Sequence, residues 1–146
     1  DSAQGEIVWM LDYLQTSDET LKTLKLAASH LKKGGLLFLS TRSGTGMDIR
    51  TLKDRAQIYP YEHVFLPSIA GLRELISSAG MSVLEWSTPG QMDVGYVKSQ
   101  AEYLPDSEYF VRSLIRNANP ADLGEFQRFL QRVGLSSHAR MIARKV

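Results

Sequence analysis

The stretch that decides the fold is Leu31 to Arg42, LKKGGLLFLSTR, in which charged residues and two glycines lead into an apolar run. Lys32 and Lys33 suit the negative end of a helix dipole, and Gly34 favours the left-handed backbone that ends a helix. The apolar run from Leu36 to Leu39 is typical of a strand that is covered on both faces. The stretch therefore predicts a helix that passes into an interior strand of an α/β sheet.

The preceding residues complete a βαβ unit. Glu6 to Leu11 has the β-branched and aromatic residues of a short strand. Thr16 and Glu19 have the spacing of a capping box, which predicts a helix start, and leucines at helical spacing continue to Leu31. We expect the two strands to be parallel and joined by a right-handed crossover.

The later residues predict further elements of the same fold class. Ser68 is expected to cap a helix that ends at Gly80, and Met81 to Trp86 alternates as a strand does. Residues from about 92 to 133 are predicted to be helical, and Ser137 to Lys145 carries a modest strand signal. We expect a single α/β domain over residues 1–146, with its ligands at the carboxyl ends of the strands.

Composition restricts the function more than it reveals it. The chain has 146 residues and a formal net charge of +1, because it contains seventeen basic and sixteen acidic residues. This balance argues against binding of nucleic acid through bulk charge. The sequence has no cysteine, which excludes disulfides, thiolate zinc sites and a cysteine nucleophile. It contains no apolar run of membrane-spanning length and no signal-peptide pattern, so we expect a cytoplasmic protein without membrane contact.

Four segments resemble class I S-adenosylmethionine (SAM)-dependent methyltransferases. Met10-Leu11-Asp12-Tyr13-Leu14 resembles the family's Val-Leu-Glu-His-Leu after its fourth strand, and Leu31 to Leu37 is similar to its Leu-Lys-Pro-Gly-Gly segment before the fifth. Pro60-Tyr61-Glu62-His63 resembles a Pro-x-Glu-His element found in a subset of the family. Leu72 to Met81 is similar to that subset's helix ending in Ala-Gly-Phe. The resemblance covers roughly Ile7 to Asp93.

The resemblance implies the carboxyl-terminal half of a Rossmann-like methyltransferase sheet. The family's glycine-rich turn after the first strand, and its acidic residue after the second, do not precede residue 6 here. The implied sheet has parallel strands, an antiparallel last strand and a helical insertion at about 92–133. The complete domain would use SAM to methylate a small molecule or a glycan. We expect this part alone to be inactive and to need the missing amino-terminal half.

The resemblance also implies roles for residues after the first strand. Leu11, Asp12 and Tyr13 would lie near the methyl group of the cofactor. A core role for Leu11 and a turn role for Asp12 are equally weighted alternatives. Some relatives hold a metal in this segment, but Trp9 and Tyr13 occupy two of the matching positions here, so no metal is expected.

Glu62 and His63 are the candidate catalytic pair. They lie in a loop that Pro60 and Pro67 restrain, and histidine can accept a proton near neutral pH. The alternative is that His63 is an ordinary surface group. Methyl transfer depends mainly on alignment, so a base is not obligatory.

Arg42 and Asp93 are the candidate substrate-binding residues. Each follows a predicted strand, and Arg42 could grip an anionic acceptor with two hydrogen bonds. The alternative for both is a weak surface ion pair. His138 belongs to a basic terminus that is interpreted as a solvated strand edge.

Two other classes of function stay open. The chain could be a non-catalytic α/β interaction or dimerisation module that uses the helices after Pro105 against a partner or a second copy. It could also bind a nucleotide through Gly44 and Gly46, although a match of two glycines is weak.

Overall fold

Four strands form an open sheet in the computed structural model, which describes residues 4–146. The strands are β1 (Gly5–Leu11), β2 (Leu31–Arg42), β3 (Met81–Ser87) and β4 (His138–Lys145). The helices are α1 (Thr20–Ser29), α2 (Met47–Leu52), α3 (Ile69–Ser78), α4 (Asp93–Ser99), α5 (Tyr109–Asn117) and α6 (Pro120–Arg132). Short 3-10 turns lie at Leu14–Thr16, Lys53–Arg55, Ala101–Tyr103 and Asp106–Glu108.

The strands lie side by side in the order β1-β2-β4-β3. β1 and β2 are parallel, with Trp9 opposite Phe38, which confirms the predicted pairing. β4 is antiparallel to β2 and to β3, so the predicted antiparallel last strand is also confirmed. The carboxyl ends of β1 and β2 therefore meet the start of β4 at one edge of the sheet.

The prediction for the ends of the first helix is wrong. Thr16 and Glu19 do not form a capping box, because the Thr16 hydroxyl donates to the carbonyl of Tyr13 at 2.8 Å. α1 begins only at Thr20 and ends at Ser29, and His30 is its carboxyl-terminal cap. The lysines and glycines that follow are already part of β2.

Gly34 does adopt a left-handed backbone, with φ +79°, but in a strand irregularity and not at a helix end. Gly5 pairs with Leu31 whereas Ile7 pairs with Leu36, so β2 advances five residues while β1 advances two. The surplus residues form a bulge, and glycine is the residue that accepts a positive φ there without strain.

The predicted cap of α3 is confirmed, and a second helix is capped by a side chain as well. The Ser68 hydroxyl accepts a hydrogen bond from the Gly71 amide at 2.9 Å at the start of α3. Asn119 caps α6 in the same manner, and Pro120 is its first residue. Gly80 has φ +80° after the end of α3.

One face of the sheet is covered and the other is open. α1 and α3 cover the first face, where Leu37, Ile76 and Met141 belong to the main core. A second apolar cluster lies among α2, α4, α5 and α6. On the opposite face Trp9 is 63% exposed and Leu11 is 61% exposed. The expectation that β2 is covered on both faces is therefore wrong for residues 4–146.

Within the described range, no helix combines the length and the apolarity that crossing a membrane requires.

Candidate active site

The carboxyl ends of β1 and β2 line a cavity of about 460 Å³, here called the edge cavity. Four of the predicted site residues line it: Asp12, Arg42, His63 and Asp93. They lie directly after β1, at the end of β2, in the loop before α3 and at the start of α4. The chain thus brings together at one sheet edge residues that are distant in sequence, where α/β folds bind ligands.

A second cavity of about 600 Å³ lies on the open face of the sheet and is here called the face cavity. Trp9 and Phe38 line it, and their rings stack with centroids 4.4 Å apart. Asp12, His138 and Arg140 line both cavities. These three residues therefore form the shared rim between an apolar surface and a polar cleft.

Asp12 is fixed at this rim by β2. Its backbone has φ 52°, a conformation that aspartate tolerates better than most residues. Its amide donates to the Ser40 carbonyl at 2.9 Å, and the Ser40 hydroxyl donates to Asp12 Oδ1 at 3.0 Å. The same Oδ1 lies 3.8 Å from Nδ1 of His138. The Asp12 carboxylate is therefore held by one hydroxyl and faces one imidazole.

Arg42 is engaged by the protein itself. Its guanidinium donates to Asp48 Oδ2 at 2.7 Å and to the Gln57 carbonyl at 2.7 Å. Burial raises the pKa of Asp48, the nearby Asp93 carboxylate adds to this rise, and Arg42 opposes it. Because two of its nitrogens hold the loop after β2, Arg42 has little capacity left to grip an anionic ligand. Its role in substrate binding stays a prediction.

Asp93 connects three segments below the edge cavity. Its carboxylate accepts hydrogen bonds from the Ser136 hydroxyl at 2.6 Å, the Ser137 amide at 2.6 Å and the Gln127 side chain at 2.7 Å. Burial alone would raise the pKa of Asp93, but these hydrogen bonds outweigh it and hold the pKa below its ordinary value. Asp93 thus joins the start of α4 to α6 and to the approach to β4.

His63 and Glu62 have different surroundings. Nδ1 of His63 accepts a hydrogen bond from the Tyr59 amide at 3.0 Å, and the two rings stack with centroids 5.9 Å apart. Neutral His63 therefore carries its proton on Nε2. Glu62 is exposed and lines neither cavity. The structure does not bring this predicted pair together around one ligand position, and the catalytic role of each stays a prediction.

The three consecutive residues that were predicted to contact the cofactor do not line one common cavity. Leu11 lines the face cavity, Asp12 lies on the shared rim, and Tyr13 is exposed and lines neither cavity. These residues provide at most one side of a cofactor site. The glycines of the loop after β2 pack closely against other parts of the protein. A Cβ on Gly44 would lie 2.8 Å from the Leu66 carbonyl oxygen, and one on Gly46 would lie 2.2 Å from the Ser137 Cβ.

Gly44 and Gly46 are therefore required by the packing of the protein against itself. They do not form a cradle that a phosphate or a cofactor could fill, which argues against the nucleotide-binding alternative. Among residues 4–146, no group of three histidine or carboxylate side chains is arranged to hold a metal ion.

His138 lines both cavities and Ser40 lines the face cavity, although the sequence indicated a site role for neither residue. Across β2 and β4, Arg42 pairs with His138 and Ser40 pairs with Arg140. This register brings the start of the last strand to the end of the second. The sequence contains a strand signal here, but no local pattern that gives the register.

Comparisons with known proteins give matches among solved structures only; no family model and no curated protein matches the chain. A SAM-dependent methyltransferase from Thermotoga maritima superposes with a TM-score of 0.56 at 13% identity, covering 100% of this chain and 58% of its own. The chain has a Rossmann-like methyltransferase fold. A phosphoethanolamine N-methyltransferase 2 of Haemonchus contortus, crystallised with phosphomonomethylethanolamine and S-adenosylhomocysteine, gives 0.54 at 18% identity, with coverages of 99% and 34%.

The methyltransferase fold also occurs in a protein with another reaction. The [4+2]-cyclase SpnF superposes with a TM-score of 0.53 at 19% identity, covering 99% of this chain and 50% of its own. This chain therefore spans between about a third and three fifths of the length of these structures. The fold is shared, and the reaction has to be argued from the site.

Proposed function

We propose that the chain is the acceptor-side part of a SAM-dependent methyltransferase whose complete domain methylates a small molecule or a glycan. The observation that carries the proposal is the edge cavity, which collects Asp12, Arg42, His63 and Asp93 at the carboxyl ends of β1 and β2. Its volume of about 460 Å³ suits a small acceptor or one sugar unit. The solved structures that share the fold include SAM-dependent methyltransferases, which supports SAM as the cofactor.

The proposal includes a half-domain arrangement with an amino-terminal half that supplies the cofactor cradle. Three features support it. The chain spans only part of the matched structures, β1 is an edge strand with no pairing on its outer side within residues 4–146, and the face beside it exposes Trp9 and Leu11. An unpaired edge next to an exposed apolar face is suited to pairing with a further strand and covering by a helix.

In the complete domain SAM would supply the methyl group, and the residues of this chain would position the acceptor. His63 would donate a hydrogen bond from Nε2 to an acceptor oxygen, because its Nδ1 is occupied by the Tyr59 amide. Arg42 and Asp93 would keep the floor of the edge cavity rigid through their buried hydrogen bonds. Leu11 and Asp12 would face the cofactor side, and a cytoplasmic location stays part of the proposal.

Isothermal titration calorimetry with SAM tests the half-domain arrangement. The 146-residue chain should bind SAM only weakly, because it lacks a glycine-rich cradle. A chain extended or complemented by an amino-terminal half should bind at micromolar concentration and methylate an acceptor. Micromolar binding by the 146-residue chain alone would contradict the half-domain arrangement. An extended chain that binds no SAM would contradict the methyltransferase proposal.

The exposed apolar face also favours a second candidate, an interaction or dimerisation module without catalysis. Ile7, Trp9 and Leu11 project from the edge strand into solvent. Light scattering discriminates the candidates: a non-catalytic module should form stable homodimers, and the extended chain should still fail to bind SAM. A strict monomer that gains SAM binding on extension would exclude this candidate.

A further inference from the structure

The two histidines at the edge cavity have opposite hydrogen-bonding arrangements at Nδ1. Nδ1 of His63 faces a donor, the Tyr59 amide at 3.0 Å. Nδ1 of His138 faces an acceptor, Asp12 Oδ1 at 3.8 Å, which is longer than a hydrogen bond and short enough for a direct electrostatic interaction. A neutral imidazole carries one proton, and its position follows the partner of each nitrogen.

The consequence for proton transfer differs between the two residues. In neutral His63 the proton is on Nε2, so that nitrogen donates and cannot accept. In neutral His138 the carboxylate favours the proton on Nδ1, which leaves the lone pair of Nε2 free. Only the second arrangement provides a base, and it is the one in which a carboxylate stabilises the imidazolium that forms.

We propose that His138 is the proton acceptor for the methyl acceptor and that Asp12 is its positioning residue; this rests on the proposed methyltransferase function. The O–H bond of a hydroxyl acceptor, or one N–H bond of a protonated amine acceptor, breaks; the proton passes to Nε2 of His138, and the electron pair stays on the oxygen or nitrogen. That atom is then the nucleophile for the methyl group.

The arrangement around the pair supports this role. Asp12 cannot swing freely, because the Ser40 hydroxyl and carbonyl hold its carboxylate and its amide. The side chain of His138 is 32% exposed and lines both cavities, so a ligand in either can reach the residue. The other charged or titratable groups that line the two cavities are Arg42, which pairs with Asp48, and His63, Glu85, Asp93, Tyr96 and Arg140.

The first test reads the tautomers directly and needs no activity. The sequence has three histidines, so long-range proton–nitrogen NMR spectra at about pH 8 contain three assignable patterns. We expect His138 as the Nδ1–H tautomer and His63 as the Nε2–H tautomer, with His30 as an internal reference. Finding His138 predominantly protonated on Nε2 would overturn the proposal.

Variants of Asp12 sharpen the same measurement. Asp12→Asn keeps a carbonyl oxygen and tolerates the left-handed backbone, so it should preserve the Nδ1–H tautomer of His138. In Asp12→Ala the preference of His138 for the Nδ1–H tautomer should be lost, while the spectral pattern of His63 should be unchanged. If Asp12→Ala does not fold, Ser40→Ala removes the hydroxyl that fixes Oδ1 and should weaken the same preference. A tautomer of His138 that is unchanged in both Asp12→Ala and Ser40→Ala would contradict the pairing.

The second test uses the completed methyltransferase. His138→Gln should lower kcat by about 10²–10⁴-fold and leave the KM for SAM unchanged. His63→Gln is the matched control, for which we expect mainly a higher KM for the acceptor. Wild-type kcat in His138→Gln would refute this inference alone. A wild-type enzyme without methylation would refute the proposed function, while the tautomer measurement would still decide the pairing.

Discussion

Replacing Asp93 by Asn should destabilise the chain although the change in shape is small. Asp93 is 1% exposed and accepts three hydrogen bonds as a carboxylate. If the Asn oxygen faces the Ser137 amide, its NH₂ group faces the Ser136 hydroxyl, which can rotate to accept. The same NH₂ group then meets the NH₂ of Gln127, so two donors oppose each other and one hydrogen bond is lost.

The magnitude follows from the kind of hydrogen bond. Bonds to a charged group contribute about 1.5–3 kcal/mol each, whereas neutral ones contribute about 1 kcal/mol. Three charged bonds become two neutral ones, and the lower cost of burying a neutral amide offsets part of the loss. We expect Asp93→Asn to lower the free energy of unfolding by about 3 kcal/mol, which corresponds to a fall in Tm of about 10 °C for a chain of this size.

The difference between wild type and Asp93→Asn should depend on pH. The hydrogen bonds hold the pKa of folded Asp93 below its ordinary value, so the unfolded state binds the proton more tightly. Stabilisation by Asp93 is therefore complete above the unfolded-state pKa of about 3.9 and is lost as the pH falls through the folded-state pKa. The net effect on Asp48 has the opposite sign, because burial raises its pKa and its charge therefore opposes folding at neutral pH.

Urea denaturation at pH 7 and at pH 3 measures both effects. The gap between the two proteins should be largest at pH 7 and should shrink at pH 3. Asp106→Asn is the matched control, because the Asp106 side chain is 99% exposed and pairs with Arg112 at the surface, and we expect no measurable change. A gap at pH 7 that is no larger than that of the control would refute the reasoning.

Four further substitutions test the packing and the open face, the three glycine substitutions by urea denaturation. Gly46→Ala should cost at least about 2 kcal/mol, because the new Cβ would lie 2.2 Å from the Ser137 Cβ. Gly95→Ala, with nothing within 4 Å, should instead stabilise α4 by up to about 1 kcal/mol. Gly34→Ala should cost about 1–2 kcal/mol through its φ of +79° alone. Trp9→Ser should cost only about 1 kcal/mol, since Trp9 is 63% exposed, yet it should suppress concentration-dependent association in light scattering. Unchanged association would contradict the role of the open face.

The sequence was informative where a local signal has a single structural meaning. A serine before an apolar helix face predicts a cap, and Ser68 is one. Gly34 shows the limit, because a left-handed glycine serves a helix end and a strand bulge equally well. Only the partner strand decides between them, and the pairing of Ile7 with Leu36 is a tertiary fact.

The sequence indicated the sheet edge at which the candidate residues lie, but not the hydrogen-bond partners of these residues. Arg42 is the last residue of β2, Asp93 follows β3, and both line the edge cavity. Their hydrogen-bond partners come from segments that only the fold brings close, such as Gln127 on α6. His138 was interpreted as a solvated strand edge because its pairing opposite Arg42 depends on the strand order.

Burial divides the polar groups at the sheet edge into two sets with different functions. Asp48 and Asp93 are buried, and their hydrogen bonds to the protein fix the loops after β2 and β3. Asp12, His138 and Arg140 are more exposed, so under the proposed function these are the groups that would meet a ligand. Because the first set holds the second in place, substitutions in the first should reduce stability before they reduce activity. Substitutions in the second set should reduce activity before they reduce stability. This difference would distinguish ligand-binding residues at the rim of the cavity from structural residues at its floor.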